Sequence, residues 1–510
     1  MTLKQRPCSR LTGVPRLVLA PALPSVLALA LAGCAVGPDF ERPQAPVADR
    51  YGAEPTPAQT TATAVRGGEA QTFLAKPVDA RWWTAFGSPK LDALVEQALQ
   101  ASPTLASAQA ALRIAEENAR ARGGALLPSV DAAFSPSRQK IDTGSFGNPG
   151  GGGVIYSLFN ASVNVSYGLD IWGGTRRGVE ASQAAAETAA YQLEATYQTL
   201  IANLVTSAVE TAEQRALLVG QEMIVADQER LLTITERQHE IGSIGRNELL
   251  AAQSSIASER AKLQPLRLAL TRAQNQLAVY AGRLPSEAAA SQFELSELTV
   301  PQAVPLSLPS ELVRQRPDVL AAEARLHEAA ANVGVATANL LPQISLTASF
   351  GTQSSIFENL FTGNIWSIGG SVLQPLFRGG ELTANRRAAI ARFDQARADY
   401  RQTVILAFQN VADTLRALEI DADTLNADHA AAAAAEARLR LVERQHQLGA
   451  ASYLALLDAQ QAWTRTRAAQ VISLATRMQD TAALFQALGG GWMQRDPAQP
   501  MPQVQATAAP

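Results

Sequence analysis

Two periodicities alternate along this 510-residue chain, and the whole alternation is written twice. In NASVNVSYGLD (160–170), Ala161, Val163, Val165, Tyr167 and Leu169 alternate with Ser162, Asn164, Ser166, Gly168 and Asp170. PQISLTASFG (342–351) does the same, setting Ile344, Leu346, Ala348 and Phe350 against Ser345, Thr347, Ser349 and Gly351. A period of two predicts strands, here with one apolar face and one hydroxyl-rich face. Such strands can lie on a soluble core, but strands of about ten residues with the hydroxyl side open to water match a membrane barrel. Helical segments precede both: Pro103 and Pro317 suit a first helical position, and Pro128 and Pro342 end the helix.

After Gly174 and Gly380 the period becomes helical again. From Thr175 to His239 and from Glu381 to His446 there is no proline. Helices of roughly 65 residues at ~1.5 Å per residue would each be about 100 Å long, which a compact domain cannot enclose. Leu218, Val225, Leu232 and His239 recur every seventh residue, as do Leu418, Leu425, Ala432, Leu439 and His446. A sustained heptad predicts coiled-coil packing on the following helix. The alanine run from Ala430 to Ala435 favours both helix formation and close interhelical approach.

The two halves are repeats. ERQHEIG (236–242) and ERQHQLG (443–449) lie 207 residues apart, and NELLAAQ (247–253) answers LALLDAQ (454–460) in the same register. Residues 102–130 align with 316–344 at an offset of 214, and DIWGGTRR (170–177) faces LFRGGELT (376–383) at 206. Changing offsets mean loop insertions between otherwise equal copies. Each copy reads helix, strand, loop, strand, long helix, turn, helix. The repeated phrase falls where each long helix stops, at Gly242 or Gly449, before the returning helices Glu248–Ala281 and Tyr453–Leu488. It is expected to form the tip of a rod, with two hairpin tips per chain. The segments 141–157 and 354–367 read as loops closing one end of each strand pair. Tyr156, Phe159, Phe357, Phe361 and Trp366 stand near those ends, where an aromatic belt would lie; each taken singly fits packing equally well.

Composition agrees with an elongated helical protein: hydrophobic residues are 47% but aromatics 5% and charged residues 17%, so the apolar content is small residues suited to close-packed helices. The first 33 residues carry Lys4, Arg6, Arg10 and Arg16, no acid, and the run LVLAPALPSVLALALAG, the pattern of a secretory signal. It ends in LAGC, which resembles a bacterial lipobox with Cys34 as the acylated residue; an ordinary signal with a chance cysteine is the alternative. Ala35 after Cys34 fits sorting to the outer membrane. Loss of those four positive charges takes the formal net charge from −3 to −7, which argues against nucleic acid as a partner. Cys8 would leave with the signal and Cys34 would be acylated, so no disulfide is expected. No stretch after the signal offers ~20 uninterrupted apolar residues, so any membrane crossing must be made by strands. Two strand pairs give four strands per chain, too few to close a barrel. Chains must then pool them, because an open sheet edge in lipid leaves backbone groups unsatisfied. Two chains would supply eight strands and three would supply twelve, and only the latter leaves room for water and solute.

LAGC-AVGPDFERP (31–43), RWWTAFGSPKLDALVEQAL (81–99), LDIWGG (169–174), residues 316–351 and QPLFRGG (374–380) resemble the signature stretches of the outer membrane factor (TolC-like) family, in its NodT/OprM-like lipoprotein branch. The resemblance covers the chain from Cys34 to about Trp492. It implies an α+β membrane protein: a homotrimeric, 12-stranded transmembrane β-barrel, four strands per chain, continued by a long periplasmic α-helical coiled-coil barrel. The expected segments are a signal peptide at 1–33, a lipid-anchored N-terminal segment at 34–80, a first repeat at 81–282, an equatorial linker at 283–309, a second repeat at 310–488 and a poorly ordered tail at 489–510. The strand pairs are placed at about 129–172 and 343–377. The implied function is a passive exit duct for small molecules in outer-membrane lipid, docked at its tip to a periplasmic membrane-fusion adaptor and driven by an inner-membrane pump.

In the family the tip closes as an iris. By that resemblance His446 precedes the turn, Leu454 gives an apolar ring and Asp458 a carboxylate ring; four residues apart, Leu454 and Asp458 share a helix face. Where relatives tie neighbouring chains with Arg or Asp, this chain has Ala451, Ala455 and Gln461, and Glu248, aligned with Ala455 by the repeat, is a substitute carboxylate. His239 and His446 sit on heptad stripes and read as seam residues rather than metal ligands, since the chain has four histidines and no Cys-His spacing. Asp458 read alone is an ordinary solvated carboxylate, and Trp82-Trp83 read as packing. No nucleophile elbow, phosphate loop or metal-spaced set is present, so neither an enzyme nor a cofactor beyond the lipid on Cys34 is expected. The competing reading is a lipid-anchored periplasmic coiled-coil strut without a pore. Five methionines give no Met-rich path for a soft metal.

Overall fold

The computed structural model describes residues 35–46, 48, 50–141, 153–290 and 292–495. Cys34 and the signal before it, most of the Gly-rich loop after Ile141 and the last part of the tail lie outside the described residues. In chain order come β1 (Thr72–Leu74), a 3-10 turn at Trp82–Phe86, α1 (Pro89–Ala101), α2 (Pro103–Gly124), β2 (Ser129–Ile141), β3 (Val154–Leu169) and α3 (Gly174–Glu240). There follow α4 (Arg246–Tyr280), β4 (Ala303–Pro305), α5 (Pro309–Gln315), α6 (Pro317–Ala338), β5 (Gln343–Ser354), β6 (Ile365–Leu373), α7 (Glu381–Gln447) and α8 (Tyr453–Ala487). The two long helices are 67 residues each and both returning helices 35, so the sequence repeat is a structural one. Contacts divide the chain into two compact units: Met1–Asp39 with Gly123–Val179 and Ala331–Ala389, and Phe40–Arg122 with Glu180–Ala330 and Ile390–Pro510.

The first unit is a four-stranded antiparallel sheet in the order β2-β3-β5-β6. Pro128 and Pro342 stand directly before β2 and β5, where a missing N–H and a fixed φ favour extended chain over further helix. The strands are longer than the alternation predicts. Residues 154–157, expected as loop, belong to β3, and 365–367 to β6. Pairing continues through Ser157↔Arg138 and Ile155↔Lys140 although bulky or charged residues on both faces have erased the alternation. Asp170 starts α3: its two carboxylate oxygens accept the N–H groups of Thr175 at 2.9 Å and Arg176 at 2.8 Å, a favourable place for negative charge. The N-terminal segment crosses α6 at Gly334, where a Cβ would lie 2.7 Å from the Val36 carbonyl oxygen; only glycine permits that approach.

The second unit holds the main apolar core, with Trp82, Trp83, Phe86, Leu91, Val205, Leu277 and Phe485 all buried. Trp82 stacks on Phe485 at 5.2 Å, in keeping with the packing role expected of the Trp pair. The heptad stripe of α7 is buried at Leu418, Leu425, Ala432 and Leu439, as a seam against the returning helix requires. The linker at 283–309 is more than a connector. Phe293, Leu298, Val300 and Val304 are buried, and β4 pairs in parallel with β1. Fully buried Arg477 of α8 clasps the N-terminal segment there, donating to the carbonyls of Gly67 (3.3 Å) and Glu69 (2.7 Å) and to Thr60 Oγ1 (3.1 Å). The tail also departs from expectation, because it is fixed as far as Arg495. Trp492 Nε1 donates to the Gln315 carbonyl at 2.7 Å, and Arg495 binds both oxygens of Glu194 at 3.0 Å while lying over the Tyr197 ring. Two anchor side chains in a short polar stretch suffice to order it.

Candidate functional site

Register sorts the sheet into two unlike faces. One carries Val130, Phe134, Val163, Leu346, Phe350, Trp366, Ile368 and Val372, all solvent-exposed, Trp366 by 71% and Ile368 by 80%. An apolar surface this continuous is foreign to a protein that meets only water. The other face is lined with hydroxyls: Ser345 and Ser371 share a hydrogen bond at 2.8 Å, as do Ser349 and Ser367, and Asn164 donates to Ser162 Oγ at 3.3 Å. Strands β2 and β6 are sheet edges, each with a row of backbone groups that no strand of this unit pairs.

The aromatics near the strand ends fall into two sets. Phe159 meets Phe357 edge-on at 5.4 Å, Trp366 sits on the apolar face opposite Phe350, and Phe361 is exposed in the β5–β6 loop. Tyr156 does not belong with them. It pairs with Gln139 on the hydroxyl face and its hydroxyl donates to Gln139 Oε1 at 3.3 Å, because an even position in β3 points opposite to Phe159. Counting parity back from Val163 along β3 would have separated the two.

The two tips share one construction. Gly242 (φ 76°) and Gly449 (φ 74°) are left-handed, and each ends its helix with a reciprocal pair of backbone bonds: Ser243 to Gln238 and Gly242 to His239, then Ala450 to Gln445 and Gly449 to His446. These are Schellman closures. The histidines complete them. His239 Nδ1 donates to the Ile244 carbonyl at 3.2 Å and His446 Nδ1 to the Ala451 carbonyl at 3.0 Å, so each ring latches its own turn. This answers why the heptapeptide recurs: Arg-Gln-His-x-x-Gly encodes a latched turn. The hairpins then diverge. Ser452 caps α8 by accepting the Ala455 N–H at 3.2 Å, whereas Gly245 before α4 has no side chain to cap with and Glu248 stands exposed in the first turn.

On α8, Leu456, Leu457 and Ala459 are buried while Leu454 and Asp458 are exposed on the opposite face. Leu454 and Asp458 thus share one exposed face of α8. What the sequence reading lacked is Arg438 of α7, whose Nη2 donates to Asp458 Oδ2 at 2.5 Å. Folding the hairpin about Gly449 brings the two helices level and would have found it. Elsewhere on the long helices two carboxyls titrate abnormally. Burial, with Glu210 beside it, pushes Glu213 up to about 7, and burial together with the carboxyl of Asp480 pushes Asp421 up to about 7 against the opposing pull of Arg477. Among the described residues no group of three or more His, Cys, Asp or Glu is gathered as for a metal ion.

A sheet with one hydroxyl face, one exposed apolar face and two open edges, carried by a chain whose repeats end in long helical hairpins, has the architecture of the TolC-like outer-membrane channels. It superposes with a TM-score of 0.79 on the outer-membrane channel OprN (28% identity, covering 90% of this chain and 100% of that one). With the Campylobacter jejuni CmeC outer membrane channel the TM-score is 0.82, at 22% identity over 91% of this chain and 96% of that one. Residues 94–283 and 308–490 match the family model of outer membrane efflux proteins, and the chain belongs to that family. Curated relatives include the pyoverdine export outer membrane protein OpmQ of Pseudomonas putida, 30% identical over 82% of this chain and 90% of that protein. The cation efflux system protein CusC of Escherichia coli is 29% identical over 92% and 99%. The protein is thus an outer-membrane efflux channel component.

Proposed function

We propose that three copies of the chain pool their sheets into one 12-stranded transmembrane barrel and their helical hairpins into a periplasmic tube, forming the passive exit duct of a tripartite export system. One observation carries the reading: an exposed apolar face combined with unpaired edges at β2 and β6. In lipid those edges must pair, and four strands per chain make a water-filled ring at three chains rather than two. The lipid on Cys34 adds an anchor in the outer membrane. The tips at Gly242 and Gly449 dock on a periplasmic adaptor, through which an inner-membrane pump supplies the energy. Leu454 and Asp458 form the periplasmic constriction, with Glu248 as a further carboxylate and with His239 and His446 holding the turns in shape. The cargo is small molecules such as drugs or toxic compounds. Relatives named for pyoverdine and for cations agree with a duct whose selectivity resides mainly in its pump.

The test is purification in detergent followed by electrophoresis with and without heating, then planar-bilayer recording. A heat-modifiable trimer that inserts and conducts is the expected result. A chain that stays soluble and monomeric without detergent, or that inserts without conductance in any gate variant, overturns the reading in favour of a strut.

A further inference from the structure

We infer that Arg138 and Lys140 form a docking patch for the phosphates of an anionic lipid headgroup in the outer leaflet, an inference that rests on the membrane reading above. Register carries it. Val130, Ala132, Phe134 and Pro136 of β2 stand opposite Val165, Val163, Ala161 and Phe159, and the same face continues into Arg138 opposite Ser157 and Lys140 opposite Ile155. Both cations are exposed.

The change from apolar to cationic falls at a structural boundary. β5 ends at Ser354 opposite Phe159, so beyond that row β2 and β3 run on as a two-stranded hairpin, at the end of the sheet opposite its helices. Phe159 and Phe357 meet at this same row. An apolar band, then aromatic rings, then cations on long stems is the order in which a membrane interface is crossed. The seven residues from Val130 to Pro136 make six steps of ~3.3 Å, ~20 Å along the strand, a substantial part of the ~25 Å apolar band of such barrels, and the cations come after it and after the aromatic row. The Lys140 methylenes lie beside Gly153 across the hairpin.

Two carboxylates of the sheet region are held away from this face. Asp131 faces Asn164 on the hydroxyl side and Asp170 is bonded by Arg176 at the helix end. Glu358 stands in the β5–β6 loop, and Asp142, the one acid of the β2–β3 loop, lies outside the described residues. Two adjacent cations above an apolar band fit a headgroup bearing two phosphates.

Native mass spectrometry of the full detergent-purified protein, incubated with lipid A, with its singly phosphorylated form and with phosphatidylcholine, counts the lipid retained. Retention should fall in that order. Arg138→Ser with Lys140→Ser should lower lipid A retention about tenfold or more, the charge-keeping exchange Arg138→Lys with Lys140→Arg should preserve it, and inorganic phosphate should not displace it. Equal retention by wild type and the serine variant, no preference for lipid A over phosphatidylcholine, or displacement by inorganic phosphate overturns the proposal. If the serine variant does not assemble, the wild type decides alone: lipid A lost at high salt supports the patch, and salt-insensitive retention overturns it. A chain that inserts and conducts but ignores the phosphates defeats this inference only, whereas failure to insert into phosphatidylcholine vesicles defeats the membrane reading beneath it.

Discussion

Arg438 Nη2 donates to Asp458 Oδ2 at 2.5 Å, tying the long helix of the second hairpin to its returning partner. The equivalent positions of the first hairpin, 207 residues earlier, hold Leu231 and Ala251. The first hairpin is joined by charge at other positions, Arg260 of α4 to Glu229 of α3 at 2.7 Å, so the Arg438–Asp458 link is particular to the hairpin that carries Leu454.

Arg438→Ala and Asp458→Ala should therefore have like effects. Both side chains are half-exposed or more, so the pair contributes under ~1 kcal/mol to folding, and the melting temperature should move by only a degree or two. Bilayer conductance should rise several-fold in either variant, and further with Leu454→Ala. A rise in Asp458→Ala alone would mean that Asp458 acts through another chain and not through Arg438.

The latched turns make a second prediction. His446→Ala leaves the backbone closure at Gly449 intact but removes the bond to the Ala451 carbonyl, a loss of about 1 kcal/mol. Amide exchange at residues 448–453 should quicken several-fold while the first hairpin, latched by His239, is unchanged. Gly449→Ala should cost a further ~1 kcal/mol because its φ of 74° is left-handed. Unchanged exchange in both variants would remove the latch.

Much of this organisation was readable in the sequence. Pro103, Pro317, Pro128 and Pro342 punctuate because proline acts locally, and the alternation around Val163 and Ile344 survives because one face meets a single kind of environment. Gly242 and Gly449 show through because the repeat isolates them. Arg438 did not, since its partner is twenty residues on across a turn whose geometry had to be known first. The burial of Phe293 and Leu298 was equally hidden: single apolar residues among Pro and Ala carry no period. Tyr156 was misplaced for a simpler reason, that nearness to a strand end was counted and parity was not.

Stability should depend on pH through the two displaced carboxyls. Asp421 and Glu213 have folded-state values of about 7 against ordinary values of 3.8 and 4.5. Between those values and about 7 the folded chain holds protons that the unfolded chain has lost, so stability falls as pH rises through this window and levels off above it. Asp421→Asn should flatten part of the fall, by roughly 1 to 2 kcal/mol once partial exposure is allowed for. Melting temperatures of wild type and variant from pH 4.5 to 8 decide it; parallel curves would show that the Asp421–Asp480 pair contributes nothing to the slope.

Adjacent residues of β6 give the sharpest test of the two faces. Ile368 lies on the apolar face opposite Ala348, and Ser367 lies on the hydroxyl face bonded to Ser349. Ile368→Arg places a guanidinium against lipid, at a cost of ~2–4 kcal/mol near the bilayer midplane. Assembled, heat-modifiable protein should then be largely lost. Ser367→Arg adds the same charge one residue away, pointing to the water-filled side, so assembly should proceed and ion selectivity should shift toward anions. The contrast excludes a general intolerance of β6 to arginine, because strand, neighbour and charge are the same and only the face differs. Loss of assembly in both would mean that the hydroxyl face is packed rather than wet, and loss in neither would remove the apolar face from lipid.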